Sequence, residues 1–456
     1  MKLPMVALVG RPNVGKSSLF NALCGVRTSI VSDEAGTTRD RIITNIDWNG
    51  VTFQIVDTGG IDFDQSGNAF SAHIREQVDI AISLADVIVF LVDGEAGIAP
   101  TDSDIANLLR KSKKPIVLAV NKLDNDKREA TKYDFYKLKI GEPIGVSCSQ
   151  HRGLGDLCDA MVAGLRGHSC ANDILEVRST QECPVAEETP REPLRIAIVG
   201  RPNVGKSSIT NKLIGEKRVM VSNIAGTTRD SIDTPFTFNG REYILTDTAG
   251  MRRKRSIEVQ TVEHYSVLRA LAAIRNSDVA VLVIDATQGI TEQDVRLAGY
   301  IDQEGKPSVI VVNKWDIVEG EKSRVFLKWG ENLQDELAFM QYFKAVFTSA
   351  ETGQRIGEIV KAVDEVYANA GRRITTGKLN QMFLDFVSVN PTRAKIKYVT
   401  QVAVYPPAFA LFVSKRQFLP PTYERYLENS LRKVVDFTGT PIKIFIRENV
   451  DKRGEE

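Results

Sequence analysis

Gly10-Arg11-Pro12-Asn13-Val14-Gly15-Lys16-Ser17-Ser18 recurs, residue for residue, as Gly200-Arg201-Pro202-Asn203-Val204-Gly205-Lys206-Ser207-Ser208. Each copy follows an apolar run of strand length, Met5 to Val9 in the first case, and precedes a helical pattern. A Gly-x4-Gly-Lys-Ser loop in that setting lets backbone N–H groups wrap phosphate oxygens, with the following helix N-terminus adding a favourable dipole. Lys16 and Lys206 are placed to bridge the outer phosphates, and the Ser17 and Ser207 hydroxyls to ligate Mg²⁺. All nine residues of each loop are therefore candidate nucleotide contacts.

The repeat extends well beyond the loop. Ala-Gly-Thr-Thr-Arg-Asp begins at Ala35 and Ala225, and Asp57-Thr58-Gly59-Gly60 is matched by Asp247-Thr248-Ala249-Gly250, all at the same offset of 190 residues. Asn121-Lys122-Leu123-Asp124 pairs with Asn313-Lys314-Trp315-Asp316 at 192, the drift reflecting small insertions. A period this long marks a duplicated domain rather than a solenoid unit, because each copy can close its own core.

Within the first copy Met5 to Val9, Phe53 to Val56, Val87 to Val92, Ile116 to Val120 and Ile144 to Val146 are apolar runs separated by amphipathic segments of helix length. That alternation predicts an α/β fold, a mostly parallel sheet with helices on both faces, whose ligands bind beyond the carboxyl ends of the strands. The expected boundaries are 1–165 for the first domain, 166–193 for a polar linker carrying Glu182, Glu187, Glu188 and Glu192, and 194–371 for the second domain. Residues 372–456 form a third, small α+β module. Leu379, Met382, Phe383, Phe386 and Val387 make a helical stripe ended by Asn390-Pro391, and strands at Ile396 to Val404 and Leu411 to Val413 follow. Tyr423, Tyr426, Leu427, Leu431, Val434 and Val435 make a second helical face before a strand at Ile442 to Ile446.

Composition agrees with three globular domains: 456 residues, 43% hydrophobic and 26% charged. No apolar run approaches the roughly 18 residues a membrane helix needs, and Met5 to Val9 enters Gly10 without a cleavage site, so it reads as a first strand. Five unpaired-looking cysteines and four scattered histidines fit reduced thiols in a cytoplasmic protein and suggest no zinc site. Net charge is +1, yet residues 372–456 hold 15 Lys and Arg against 8 Asp and Glu, while the rest holds 44 against 50. A basic terminal module on a mildly acidic body suggests a polyanionic partner, with a solvated basic surface as the alternative.

The remaining motifs carry the chemistry. Asp57 and Asp247 end apolar strands, which suits a carboxylate near Mg²⁺ with Gly60 and Gly250 N–H groups near the terminal phosphate. Asp124 and Asp316 are suited to accept hydrogen bonds from N1–H and the 2-amino group of guanine. Adenine offers neither donor there, so a buried carboxylate would be left unpaired. The ordered set occurring twice points to GTP and GDP as ligands and to GTP hydrolysis.

These motifs, with Tyr426 to Arg447, resemble the Der (EngA) family of tandem GTPases over nearly the whole chain. The resemblance implies two P-loop GTPase domains and a KH-like C-terminal domain, acting in assembly of the large ribosomal subunit. It makes Thr38 and Thr228 the switch threonines that ligand Mg²⁺, and Ser147-Cys148 and Ser349-Ala350 the last base-contacting loops. Cys148 departs from the usual alanine but keeps a small side chain. The resulting catalytic set is Lys16, Thr38, Asp57, Gly60, Lys206, Thr228, Asp247 and Gly250. Partners are the large subunit or its precursor and its rRNA, with no membrane, for a monomer.

Hydrolysis lacks one familiar group. Ile61 and Met251 follow the Asp-x-x-Gly motifs where Ras-like enzymes place a water-orienting glutamine. The resemblance assigns Asn13 and Asn203 to a K⁺ ion beside the phosphates. The C-terminal module has no Gly-x-x-Gly loop to clamp RNA. Lys395, Lys397, Lys415, Arg416, Arg432, Lys433 and Arg447 can contact phosphates, or the module can dock against a GTPase domain and sense its switch. Two other readings of the chain are a nucleotide-gated RNA scaffold with vestigial hydrolysis and a membrane-associated GTPase, the latter without a span or lipidation signal in the sequence.

Overall fold

A computed structural model describes residues 3–25, 43–58, 69–124, 130–167, 193–215, 233–246 and 262–448. The first body begins with β1 (Met5–Val9) and α1 (Lys16–Gly25), then β2 (Ile43–Trp48), β3 (Val51–Asp57) and α2 (Ala69–Leu84). It continues through β4 (Val87–Asp93), α3 (Pro100–Lys111), β5 (Ile116–Asn121), β6 (Pro143–Gly145) and α4 (Leu154–Arg166). Its six strands lie in the order β2-β3-β1-β4-β5-β6. All neighbours pair in parallel except β2 and β3. Every residue of β1 and β4 is buried, as expected for central strands covered on both faces.

The second copy repeats this plan with β7 (Leu194–Val199), α5 (Lys206–Gly215), β8 (Thr234–Phe238), β9 (Arg241–Thr246), α6 (Val262–Asn276) and β10 (Val279–Asp285). α7 (Glu292–Gln303), β11 (Ser308–Asn313), α8 (Lys322–Glu336), β12 (Lys344–Phe347) and α9 (Ile356–Ala370) complete it. Its order, β8-β9-β7-β10-β11-β12, matches the first sheet strand for strand. The expected run Phe53 to Val56 lies in β3, whereas the outer strands β2 and β8, which close antiparallel edge hairpins with β3 and β9, are elements the apolar runs did not announce. Their turns are Asn49-Gly50 and Asn239-Gly240, with φ of 49° and 76°, and 50° and 84°. Two consecutive positive φ values are what a tight two-residue hairpin demands, and Asn-Gly supplies them cheaply.

The C-terminal part is α10 (Thr376–Val389), β13 (Ile396–Ala403), β14 (Ala408–Val413), α11 (Pro421–Val434) and β15 (Lys443–Glu448). β13 is antiparallel and β15 parallel to the central β14. β14 begins at Ala408, three residues before the expected start, because its early positions alternate Phe with small Ala and escape an apolar-run reading. Phe383, Phe409, Leu411, Leu427, Leu431 and Phe437 form the centre of its core.

This module packs against the second α/β domain as one body, at the end of β11 remote from Asn313. The Ser308 N–H donates to Gly439 O at 2.7 Å, Asn369 Nδ2 to Thr438 O at 3.0 Å, and Thr440 Oγ1 to Val366 O at 3.0 Å. The Arg432 guanidinium lies 4.7 Å from the centre of the Tyr342 ring and donates to Phe437 O and Thr440 O. Arg432 is thus occupied within this body, unlike the exposed Lys395, Lys415, Arg416 and Lys433. No described helix is long and apolar enough to cross a membrane.

Candidate nucleotide site

Three loops converge at the carboxyl end of each main sheet, and one asparagine ties them together. Asn121 Nδ2 donates to Val14 O at 2.8 Å, while its Oδ1 accepts from the Cys148 N–H at 3.2 Å. Asn313 does the same with Val204 O at 2.8 Å and the Ala350 N–H at 3.0 Å. Asn121 and Asn313 are 3% and 1% exposed, so these bonds form away from water and hold phosphate loop and base loop in a fixed relation. The loop glycines follow from the same contact. Gly15 and Gly205 have φ of +96° and +98°, and a Cβ there would run into the amide of Asn121 or Asn313.

The phosphate loops are preformed. Lys16 Nζ donates to Gly10 O and Arg11 O, each at 2.9 Å, and Lys206 Nζ to Gly200 O and Arg201 O, each at 2.5 Å. Asn13 and Asn203 sit in the left-handed region at φ 65° and 66°, where asparagine is tolerated better than most residues, with exposed side chains. Pro12 is half-buried, Pro202 exposed, and Val14 and Val204 anchor the loops in the cores. Ser18 and Ser208 are exposed at the start of their helices.

The Arg11 and Arg201 side chains turn to α3 and α7 rather than along the loop. Arg11 Nε lies 3.3 Å from Asp102, and Arg201 Nε 2.9 Å from Asp294. Both carboxylates are fully buried and cap their helices, accepting from the Ala99 and Thr291 N–H groups. Burial pushes the Asp102 carboxyl up against the opposing pull of the Ala99 N–H and Arg11.

Ser17 Oγ donates to Asp57 Oδ2 at 2.8 Å, so the two hard oxygen donors expected around Mg²⁺ already meet, with Asp57 only 4% exposed. The Thr58 hydroxyl donates to Leu8 O and braces the end of β3. Thr38, Gly59, Gly60, Ile61, Thr228, Asp247, Thr248, Ala249, Gly250 and Met251 lie outside the described residues. Among the described residues no group of three or more His, Cys, Asp or Glu is placed to hold a metal ion.

At the base end Asp124 Oδ1 accepts from Ser147 Oγ at 2.6 Å and Ser149 Oγ at 3.0 Å. Those hydroxyls fix the carboxylate plane. In the second copy Ser349, fully buried, accepts from the Thr352 N–H as Ser147 does from the Gln150 N–H, but among the described residues its hydroxyl makes no bond to Asp316. Burial, and then the Asp124 charge, push the Cys148 thiol up to about 11 despite a bond with Asn121. Cys148 is therefore a small neutral side chain beside the site.

Lys122 and Lys314, at φ 68° and 64°, form ion pairs with Asp93 and Asp285 at 2.7 and 2.6 Å. These two carboxylates, with Asp102 and Asp294, were not among the sequence-derived candidates. Their signal was the repeat itself: all four recur at the 192-residue offset of the Asn-Lys-x-Asp motif.

Comparison with known proteins places these features together. Residues 5–122 and 195–314 match the family described as 50S ribosome-binding GTPase, and residues 373–447 the KH-domain-like C-terminal part of EngA bacterial GTPases. Among curated relatives, GTPase Der of Caldanaerobacter subterraneus subsp. tengcongensis is 47% identical, with 100% of both chains covered. Those of Listeria innocua and Heliobacterium modesticaldum are 45% and 46% identical over 98% of this chain and 99% of theirs. With the asparagine-centred loop arrangement repeated in both copies, a docked KH-like module and this likeness along its full length, the chain belongs to the Der (EngA) family of tandem GTPases.

Proposed function

We propose that the chain is a GTP-hydrolysing switch of large-subunit assembly, a cytoplasmic monomer that binds the large ribosomal subunit or its precursor through rRNA. The observation that carries this reading is the pair of preorganised loop constellations centred on Asn121 and Asn313, in one chain with a basic module. The domain limits proposed for it are 1–165, 194–371 and 372–456, joined by a linker at 166–193.

In this reading Lys16 and Lys206 leave their loop carbonyls for the outer phosphates, and Gly60 and Gly250 donate to the terminal phosphate. Ser17 with Asp57 and Thr38, and Ser207 with Asp247 and Thr228, would hold Mg²⁺, which would supply charge neutralisation to the phosphates. Ile61 and Met251 cannot orient a water. Asn13 and Asn203 are exposed residues whose side-chain amides carry oxygens suitable as hard donors for K⁺, which would supply positive charge where an arginine finger would. Multiple-turnover phosphate release tests the enzyme reading: turnover is expected to rise when K⁺ replaces Na⁺ at equal ionic strength. Equal rates in the two salts would remove Asn13 and Asn203 from this role, and single turnover would favour a scaffold whose hydrolysis is vestigial.

For the RNA reading, support comes from the sheet face that α10 and α11 leave uncovered. Tyr398 and Phe412 stack there with ring centres 4.2 Å apart, and Arg447 is paired in register beside Phe412. Aromatic rings flanked by cations are suited to unpaired bases and their phosphates. Sedimentation with large-subunit particles is expected to carry down more protein with a GTP analogue than with GDP, and equal pelleting would defeat the switch reading.

A further inference from the structure

Each base loop carries a lysine that a neighbouring strand already holds. Asp93 and Asp285 end β4 and β10, directly in register with Asn121 and Asn313 on β5 and β11. Their outer oxygens accept from Lys122 Nζ and Lys314 Nζ. Their other oxygens are fixed by the turn that follows: Asp93 Oδ1 accepts from the Glu95 and Ala96 N–H groups at 2.9 and 3.1 Å. Asp285 Oδ1 accepts from the Thr287 N–H and hydroxyl at 2.9 and 2.7 Å. The turns differ in sequence between the copies, yet the ion pair is the same.

The carboxylates are 7% and 1% exposed, whereas the lysine side chains are 36% and 33% exposed. Burial pushes both carboxyls up, but the lysines and the turn donors outweigh it and hold them below the usual carboxylate range. Both carboxylates are therefore ionised at neutral pH. A lysine anchored at Nζ loses the rotamer freedom of its four-methylene stem. That stem then runs from the base loop to the end of the adjacent strand, starting two residues before Asp124 or Asp316. Held there, it offers a methylene face to any flat ring whose edge those carboxylates bind.

We propose that Asp93 and Asp285 are positioning residues that pin the stems of Lys122 and Lys314 as the wall against which the purine ring rests. Each acts on nucleotide affinity through its lysine alone. The proposal rests on the reading of Asp124 and Asp316 as base-edge acceptors, and the two are separable. A methylene wall is indifferent to the ring's exocyclic groups, whereas an edge acceptor reads them.

The test uses the full-length chain with one site silenced by Lys206→Ala or Lys16→Ala, and GDP and inosine diphosphate competing against a fluorescent GDP. Asp93→Asn is expected to weaken both nucleotides by the same factor, about five- to tenfold. Added to Lys122→Ala it should change nothing further, and Asp285→Asn with Lys314→Ala should behave alike at the second site. Additive losses in the double variant, or a loss confined to GDP, would overturn the proposal. Thermal unfolding of the nucleotide-free variants identifies any that fail to fold, and the other site then answers the same question. Asp124→Asn separates the two readings. If it leaves base preference unchanged, the base-edge reading fails and the proposal with it; if it shifts preference to xanthosine diphosphate while the cycle is additive, the positioning role alone fails.

Discussion

In the proposed reading, Asp124 illustrates how little of a base-reading site has to be charged to be selective. Its carboxylate is oriented by Ser147 and Ser149 before any nucleotide arrives, so binding GTP requires no reorganisation at that atom. Asp124→Asn, and Asp316→Asn in the second copy, replace an acceptor by a donor opposite guanine N1–H. Each is expected to weaken GDP by roughly a hundredfold at its site and to favour xanthosine nucleotides, measured by competition titration. Retained guanine preference would defeat the base-reading assignment. Cys148, in the same loop, gives a second residue-scale prediction. With its thiol pushed to about 11, the thiolate is scarce at pH 8 and grows tenfold with each unit of pH up to that value. Alkylation of Cys148 followed by peptide mass mapping should therefore be slow at pH 8 and faster at pH 10. Rapid labelling at pH 7 would contradict the buried, neutral thiol.

The phosphate loop shows which parts of an element are legible in a sequence. Gly15 announces itself through a spacing rule, but the reason it must be glycine is a residue 106 positions away: the Asn121 amide fills the space a Cβ would take. Gly15→Ala and Gly205→Ala are expected to abolish tight GTP binding at their own site while leaving the other intact, read by titration of each single variant. Strand runs and the duplicated motifs were readable because burial on both faces forces continuous Val, Ile and Leu. The edge hairpins were less so, since β2 is only half-covered and its residues do not form an apolar run. Asn49-Gly50 carried the signal instead. The carboxylates Asp93 and Asp102 recur as Asp285 and Asp294, but the repeat alone names no role for them, and only the three-dimensional register beside Asn121 and Arg11 gives each a partner. The order of strands across each sheet was likewise set by packing rather than by any local residue type.

At the scale of the molecule, the C-terminal module is part of the second GTPase domain's surface, which alters how its role can be tested. Deleting residues 373–456 would uncover the Ser308 N–H, Val366 and Tyr342 together, so a truncated chain reports destabilisation as well as lost charge. Gly439 measures that docking directly. It has φ of +75°, its carbonyl accepts from Ser308, and a Cβ there would strike Val366. Gly439→Ala should lower stability by on the order of 2 kcal/mol, seen in thermal unfolding. Charge is better tested without touching that seam. Lys395, Lys415, Arg416 and Lys433 are exposed, and Arg447 lies beside the Tyr398–Phe412 stack on the uncovered sheet face. If they contact rRNA phosphates, particle binding releases counterions and weakens as salt rises, each lost phosphate contact reducing the log–log slope by about one or slightly less. The variant Lys395→Gln, Lys415→Gln, Arg416→Gln should therefore pellet less with large-subunit particles at low salt and show a flatter salt dependence, at unchanged thermal stability. Tyr398→Ala should weaken pelleting without altering the slope, because stacking releases no ions. An unchanged slope in the triple glutamine variant would place the phosphate contacts elsewhere in the chain.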